Sequence, residues 1–240
     1  MAARRRVGVL GGMGPEATVL FMQRVIERTE VTDDQDHVPL LVDNNPQVPS
    51  RVKAIVDGTG ADPGPVLAAM ARRLEAAGAE ALAMPCNTAH HFAPEIRGAV
   101  CIPFLDMVAL SARRLAETGV RRVGILASPA IRITGVFERP LAEHGVAPLY
   151  DRGEEDALAA IRAVKVRDYE SARRTLATAA AAFERAGADA LLVACTEFSI
   201  LTEAARNVLP LVDTIDVLAE EVVAFSCAPA TVVNGLARKT

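Results

Sequence analysis

The chain has no tryptophan, and aromatics make up only 4% of its 240 residues, so it offers little on which nucleobases could stack. Charge points the same way. The formal net charge is −4 and the only basic cluster is Arg4–Arg6, so no stripe tracks a phosphate backbone and no nucleic-acid partner is expected. No apolar run is long enough for a membrane span. The N-terminal arginines are followed only by VGVLGG, too short and too broken by glycine for a signal-peptide core. Cysteine is scarce: Cys86, Cys101, Cys195 and Cys227, with no CxxC pair. The histidines (His37, His90, His91, His144) show no zinc spacing. No metal site and no disulfide framework are expected, and a reducing cytoplasm is the simpler setting.

What is present is a regular alternation. Hydrophobic residues make up 51% of the chain, and its length suits one large domain or two small ones. RVGVLGG (6–12) reads as a buried strand ending in a glycine turn, residues 16–29 as a helix, and VPLLVDNN (38–45) as a strand. In PVLAAMARRLEAAG (65–78), Val66, Leu67, Met70, Leu74 and Ala77 share a helical face and Gly78 ends it. EALAMPC is the next strand. Strands alternating with amphipathic helices predict α/β architecture with mainly parallel sheets covered on both faces.

The pattern then recurs. RRVGVLGG (5–12) matches RRVGILAS (121–128), and IPFLDMVAL (102–110) matches LPLVDTIDVL (209–218). LEAAGAEALAMPCNTAH (74–90) matches FERAGADALLVACTEFS (183–199), with Gly78 eight residues before Cys86 and Gly187 eight before Cys195. Three matched blocks in one order imply a duplication. The expected domains are 1–106, with a returning helix in 214–240, and 107–213.

Taken singly, each cysteine reads as a small buried apolar residue. As a pair at matched strand ends they suggest chemistry, because open α/β sheets gather their sites there. If the halves face each other, two thiols flank one cleft. One can then remove a proton from a carbon while the other returns one to the opposite face. Backbone N–H groups of the following turns would favour the thiolate. Mutual repulsion would leave the pair sharing one proton. Cys101 and Cys227 lack this context and read as packing residues.

At these residues the sequence resembles the aspartate/glutamate racemase superfamily, in particular its aspartate racemase branch. The segments that carry the likeness are GVLGGMGPEAT (8–18), NNPQVPSR (44–51), MPCNTAH (84–90) and ACTEF (194–198). The resemblance implies two pseudo-symmetric α/β domains with the site in the interdomain cleft. It also implies racemisation of a small acidic amino acid by two cysteines, without metal or pyridoxal cofactor, and a homodimer. Carried over by motif, Cys86 and Cys195 are the acid/base thiols. Asn87, Thr88 and Thr196 hold the α-carboxylate, Met13 lies beside the substrate, and Arg51 and Lys165 take the distal carboxylate. His90 and Glu197 either tune the thiols or cap and cross-link the strand ends. For Asn87, Thr88 and Thr196 the plainer alternative is helix capping, and for Arg51 a solvated surface position. GGMGP tempts a nucleotide reading, but it lacks GxGxxG spacing and a Walker lysine.

Four departures bear on the substrate. Ser50 stands where the branch often has Asp, and Ala194 where it often has Gly. Ile131 and Phe137 stand where a Thr and a Tyr are usual, with Ser128 able to keep one hydroxyl contact. Aspartate is the first expected substrate and glutamate the second. Two other functions fit the same lobes: a single-cysteine isomerase of a diacid such as maleate, and a non-catalytic dicarboxylate-binding protein.

Overall fold

The computed structural model describes residues 4–150 and 154–229. In chain order its first half runs β1 (Val7–Gly11), α1 (Pro15–Arg28), β2 (Leu40–Asn44), α2 (Arg51–Ile55), α3 (Gly64–Ala76), β3 (Ala81–Ala83), α4 (Ala93–Ala99), β4 (Phe104–Leu105) and α5 (Met107–Glu117). The second runs β5 (Arg122–Leu126), α6 (Pro129–Thr134), α7 (Glu138–Glu143), β6 (Ala147–Tyr150), α8 (Glu154–Lys165), α9 (Tyr169–Arg185), β7 (Ala190–Val193), α10 (Glu203–Arg206), β8 (Leu211–Asp213) and α11 (Thr214–Cys227).

The strands form two four-stranded sheets, ordered β2-β1-β3-β4 and β6-β5-β7-β8, with every pairing parallel. The second order is the first repeated four strands later, so the duplication seen in the sequence is also a duplication of topology. Each sheet has two apolar faces because its strands alternate. In β1, Val7 and Val9 point into one core with Phe21, Ile215 and Val222, while Leu10 points into the other with Leu67, Met70 and Leu82. In β5, Val123 and Ile125 pack with Phe137 and Leu141, while Leu126 packs with Leu176 and Phe183. This gives the helix–sheet–helix layering expected of strands buried on both sides.

Local signals set the element ends. Pro15 occupies the first turn of α1, where its missing N–H costs nothing. Asp106 caps α5 by accepting from the Val108 and Ala109 N–H groups, and Asp213 caps α11 by accepting from Ile215. After α3 and α9 the matched Gly78 and Gly187 take φ of 92° and 78°, the left-handed geometry that lets the chain turn directly into β3 and β7.

Two helices join the halves. Helix α5 places Met107 in the core of the first sheet, and Val108, Ala112 and Leu115 in a core of the second. Helix α11 follows β8 but packs Ile215, Leu218, Ala219 and Val222 against the first sheet and α1. Arg113 and Arg114 of α5 pair with Glu221 and Glu220 of α11.

Candidate active site

The ends of β3 and β7 converge on one cleft. It encloses about 470 Å³, counting its open mouth, and is lined by Met13, Ser50, Arg51, Val52, Cys86, Asn87, Thr88, Ser128, Ile161, Lys165, Ala194, Cys195, Thr196 and Glu197. Of the site residues carried over by motif, only His90 is outside this lining. Two of the four departures, Ser50 and Ala194, also face the cleft. Ile131 and Phe137 do not: both are 0% exposed in the core of the second sheet. The expectation that they replace polar pocket contacts is therefore corrected, since Ile131 on α6 and Phe137 just before α7 both turn their side chains inward. Ile161 was missed. It sits one helical turn before Lys165 on α8, and that i, i+4 spacing was the available signal.

Each wall is built locally. Gly12 follows β1 with φ of 92°, and a Cβ there would come within 2.3 Å of the Asn45 backbone. Only glycine lets the loop turn this tightly and present Met13, which is 3% exposed. Arg51 begins α2 and donates to the carbonyls of Pro49 at 2.9 Å, Val48 at 3.2 Å and Met13 at 3.4 Å. These bonds join the second loop to the first and fix the guanidinium beside the cleft. They also leave some of its N–H groups free.

Behind Cys86 stands His90. Its Nε2 accepts from the Met107 N–H at 3.2 Å, which requires the proton to be on Nδ1, and Nδ1 donates to the Cys86 carbonyl at 2.8 Å. Burial pushes the ring's pKa down, in keeping with a neutral imidazole. His90 thus clamps the Cys86 backbone to the start of α5 and does not bond the thiol. Ser199, equally spaced after Cys195, does the matching work by donating to Asp213 at 2.8 Å at the start of α11.

A second relay crosses between the halves. Thr214 Oγ1 donates to the Val193 carbonyl at 3.0 Å and so must accept from Asn87 Nδ2, 2.9 Å away. The relay fixes the Asn87 amide orientation and leaves Oδ1 buried with no hydrogen-bond partner among the described residues. Ser128 Oγ is buried and unpartnered in the same sense. Unpaired buried polar atoms cost about 1–3 kcal/mol each, so two of them on one cleft mark a place built for a polar ligand.

The thiols themselves are nearly enclosed, Cys86 at 6% and Cys195 at 7% exposure. Burial pushes Cys86 up from its ordinary pKa; Arg51 and the Ala89 N–H pull it back, and Glu197 adds an upward push. Cys195 is pushed well up, first by burial and then by Glu197, whose Oε2 accepts the S–H at 3.2 Å. The backbone N–H groups act in the expected direction, but burial outweighs them. The turns after the cysteines are short 3₁₀ segments, Thr88–Phe92 and Phe198–Leu201, and carry little helix dipole. Among the described residues no three His, Cys, Asp or Glu side chains gather as a metal site. No helix there is long and apolar enough to cross a membrane.

The model of the Asp/Glu/Hydantoin racemase family matches residues 10–222. The chain belongs to this family. It is therefore an isomerase of the amino-acid racemase class. An aspartate racemase from Picrophilus torridus superposes with a TM-score of 0.84 at 30% identity, covering 92% of this chain and 94% of that one. The broad specificity amino-acid racemase RacX of Bacillus subtilis is 25% identical over 233 residues, 90% of this chain and 96% of RacX. A glutamate racemase from Francisella tularensis, solved with D-glutamate, shares the fold at 14% identity. Its TM-score is 0.67, with coverage of 92% of this chain and 81% of that one.

Proposed function

We propose that the enzyme interconverts the enantiomers of an acidic amino acid, aspartate first and glutamate second, by passing the Cα proton between Cys86 and Cys195. The observation that carries this reading is that both thiols, from matched strand ends of a duplicated fold, line the same cleft. One thiolate removes the Cα proton and becomes a thiol. The opposite thiol delivers its proton to the other face and becomes a thiolate. The roles exchange for the other enantiomer.

The other lining groups divide by their chemistry. Asn87 Oδ1 can only accept, so it suits the α-ammonium. The α-carboxylate falls to the Thr88 and Thr196 hydroxyls and to Ser128. Donors aimed at that carboxylate also stabilise the enolate-like charge that grows on deprotonation, at about 3–4 kcal/mol each. Arg51 and Lys165 supply positive charge for a distal carboxylate. Lys165 is opposed by Glu197 at 3.9 Å, so the net positive field at that end is modest. This favours a second reading in which several amino acids are accepted. The four free cysteines fit work in a reducing cytoplasm.

The test is exchange in deuterated water with each L-amino acid in turn, no pyridoxal phosphate or metal being added. The expected result is loss of optical rotation with deuterium at Cα, abolished by Cys86→Ser and by Cys195→Ser alike. Near-wild-type turnover in either variant removes the two-base scheme. A trapped covalent adduct would favour the diacid isomerase, and tight binding without optical change the binding protein.

A further inference from the structure

The cysteines stand in matched places, but their surroundings differ in charge. Two residues after Cys86 comes Thr88, a neutral group; two residues after Cys195 comes Glu197. The Glu197 carboxylate is held between two partners, with Oε2 at 3.2 Å from the Cys195 Sγ and Oε1 at 3.9 Å from the Lys165 Nζ. Cys86 instead faces the Arg51 guanidinium, which the Met13, Val48 and Pro49 carbonyls keep in place. His90, behind Cys86, adds no charge there: both its ring nitrogens are in backbone hydrogen bonds and it is neutral.

We propose that Arg51 and Glu197 make the pair unequal, so that when the free enzyme gives up a thiol proton it is Cys86 that becomes the thiolate, while Cys195 keeps its proton, donated to Glu197. The inference deepens the racemase reading of this cleft and rests on it. A thiolate beside a guanidinium is stabilised by charge, whereas a thiolate 3.2 Å from a carboxylate in a nearly closed site is opposed by it. The free enzyme is therefore poised for the enantiomer whose Cα–H faces Cys86.

In that direction the Cα proton moves to the Cys86 sulfur and the Cys195 proton moves to the opposite face of the carbon. The product complex then holds a Cys195 thiolate against Glu197, an arrangement that Lys165 partly offsets. After release, Cys195 takes a proton from water and Cys86 returns one, so the resting form is restored with no net change. Glu197 is thus a positioning residue that decides which sulfur keeps the proton.

Enantiomers have equal free energy, so kcat/KM is the same in both directions and cannot report this asymmetry. Alkylation can. Substrate-free enzyme is treated with iodoacetamide across roughly pH 6 to 10, and the rate at each cysteine is followed by peptide mass. The midpoint of each profile measures the thiolate fraction and is independent of access, and exposed Cys101 and Cys227 provide references in the same sample.

The expected result is a Cys86 midpoint about one pH unit or more below that of Cys195, which is about tenfold in thiolate fraction. Glu197→Gln should bring the Cys195 midpoint down by about one unit and move that of Cys86 less; Arg51→Gln should raise that of Cys86. A Cys195 midpoint at or below that of Cys86 in the wild type, or one unmoved in folded Glu197→Gln, overturns the proposal. The wild-type comparison stands even if a variant does not fold. Racemisation is assayed separately. Unequal midpoints without racemisation would sink the racemase reading alone, and racemisation with equal midpoints would sink the asymmetry alone.

Discussion

The Thr214 hydroxyl is the smallest group on which the site's geometry depends, and replacing it tests that geometry. Thr214 is 0% exposed and bridges Asn87 Nδ2 at 2.9 Å to the Val193 carbonyl at 3.0 Å. Thr214→Val keeps the side chain's shape and deletes both bonds. The buried Asn87 Nδ2 then lacks its partner, at a cost of about 1–3 kcal/mol of stability. The amide is also freed to rotate. In the turned orientation it presents NH₂ where the α-ammonium is proposed to bind, and a charge-assisted hydrogen bond of about 1.5–3 kcal/mol is lost. That predicts a fall in kcat/KM of roughly tenfold or more. Thr214→Ser removes only a methyl group and keeps the relay, so its kcat/KM should stay near wild type while its stability drops slightly. The assays are urea unfolding and racemisation of aspartate in both directions. A Val variant as active as wild type, or a Ser variant as impaired as Val, would refute the relay's role.

Asp213 predicts a pH dependence of stability. Burial, with a further push from Asp216, raises its carboxyl to about 7, despite the hydrogen bonds from Ser199 and Ile215 that favour the charged form. The folded protein thus keeps a proton that the unfolded chain releases near pH 4, so this contribution is full below about pH 4 and lost as pH rises through 7. Asp213→Asn retains the cap and removes the titration. Between about pH 4 and about pH 8 the wild type should lose on the order of 1–4 kcal/mol relative to that variant in urea unfolding, and parallel curves would exclude the shift. For Gly12→Ala, strain at φ of 92° and a Cβ 2.3 Å from the Asn45 backbone should displace the Met13 loop, lowering Tm by several degrees and raising KM more than kcat falls. Wild-type values for both would show that the loop tolerates a Cβ.

The fold was legible because duplication wrote its signal twice. The VGVL and VGIL strands, the helix–Gly–strand–Cys units and the paired Pro-apolar-Asp blocks each specify a parallel strand or the start of the helix after it. Their common order anticipated two sheets of one topology. The cleft-lining residues were legible where a motif stood at a strand end, as at Cys86, Cys195, Asn87 and Thr196. What stayed hidden depended on direction in space. Ile131 and Phe137 follow β5 closely in sequence, yet α6 and the start of α7 carry their side chains into the core. His90 lies four residues from Cys86, but its ring reaches the carbonyl and α5, not the sulfur. Thr214 gave a faint sign, since its counterpart in the matched block is Met107. A polar residue where the duplicate has an apolar one was a cue to a specific buried partner.

The divergence between the halves separates what holds the sulfurs from what lines the cleft. At the element ends that flank the cysteines, both halves keep an equivalent device. Gly78 and Gly187 turn the chain, Asp106 and Asp213 cap the returning helices, and His90 and Ser199 tie the cysteine turns to the starts of α5 and α11. Beside the matched cysteines, the cleft-facing residues differ: Asn87 against Thr196, and Thr88 against Glu197. Two-sided proton transfer demands the first kind of sameness, because each sulfur must be held as rigidly as the other on its own face of the carbon. It does not demand the second. A substrate with a different group at each corner of its reacting carbon needs an ammonium acceptor on one side and carboxylate donors elsewhere, so a duplicated site becomes useful only once its lining stops being symmetric. Unequal thiols are then a consequence of building one chiral pocket from two copies of a strand end.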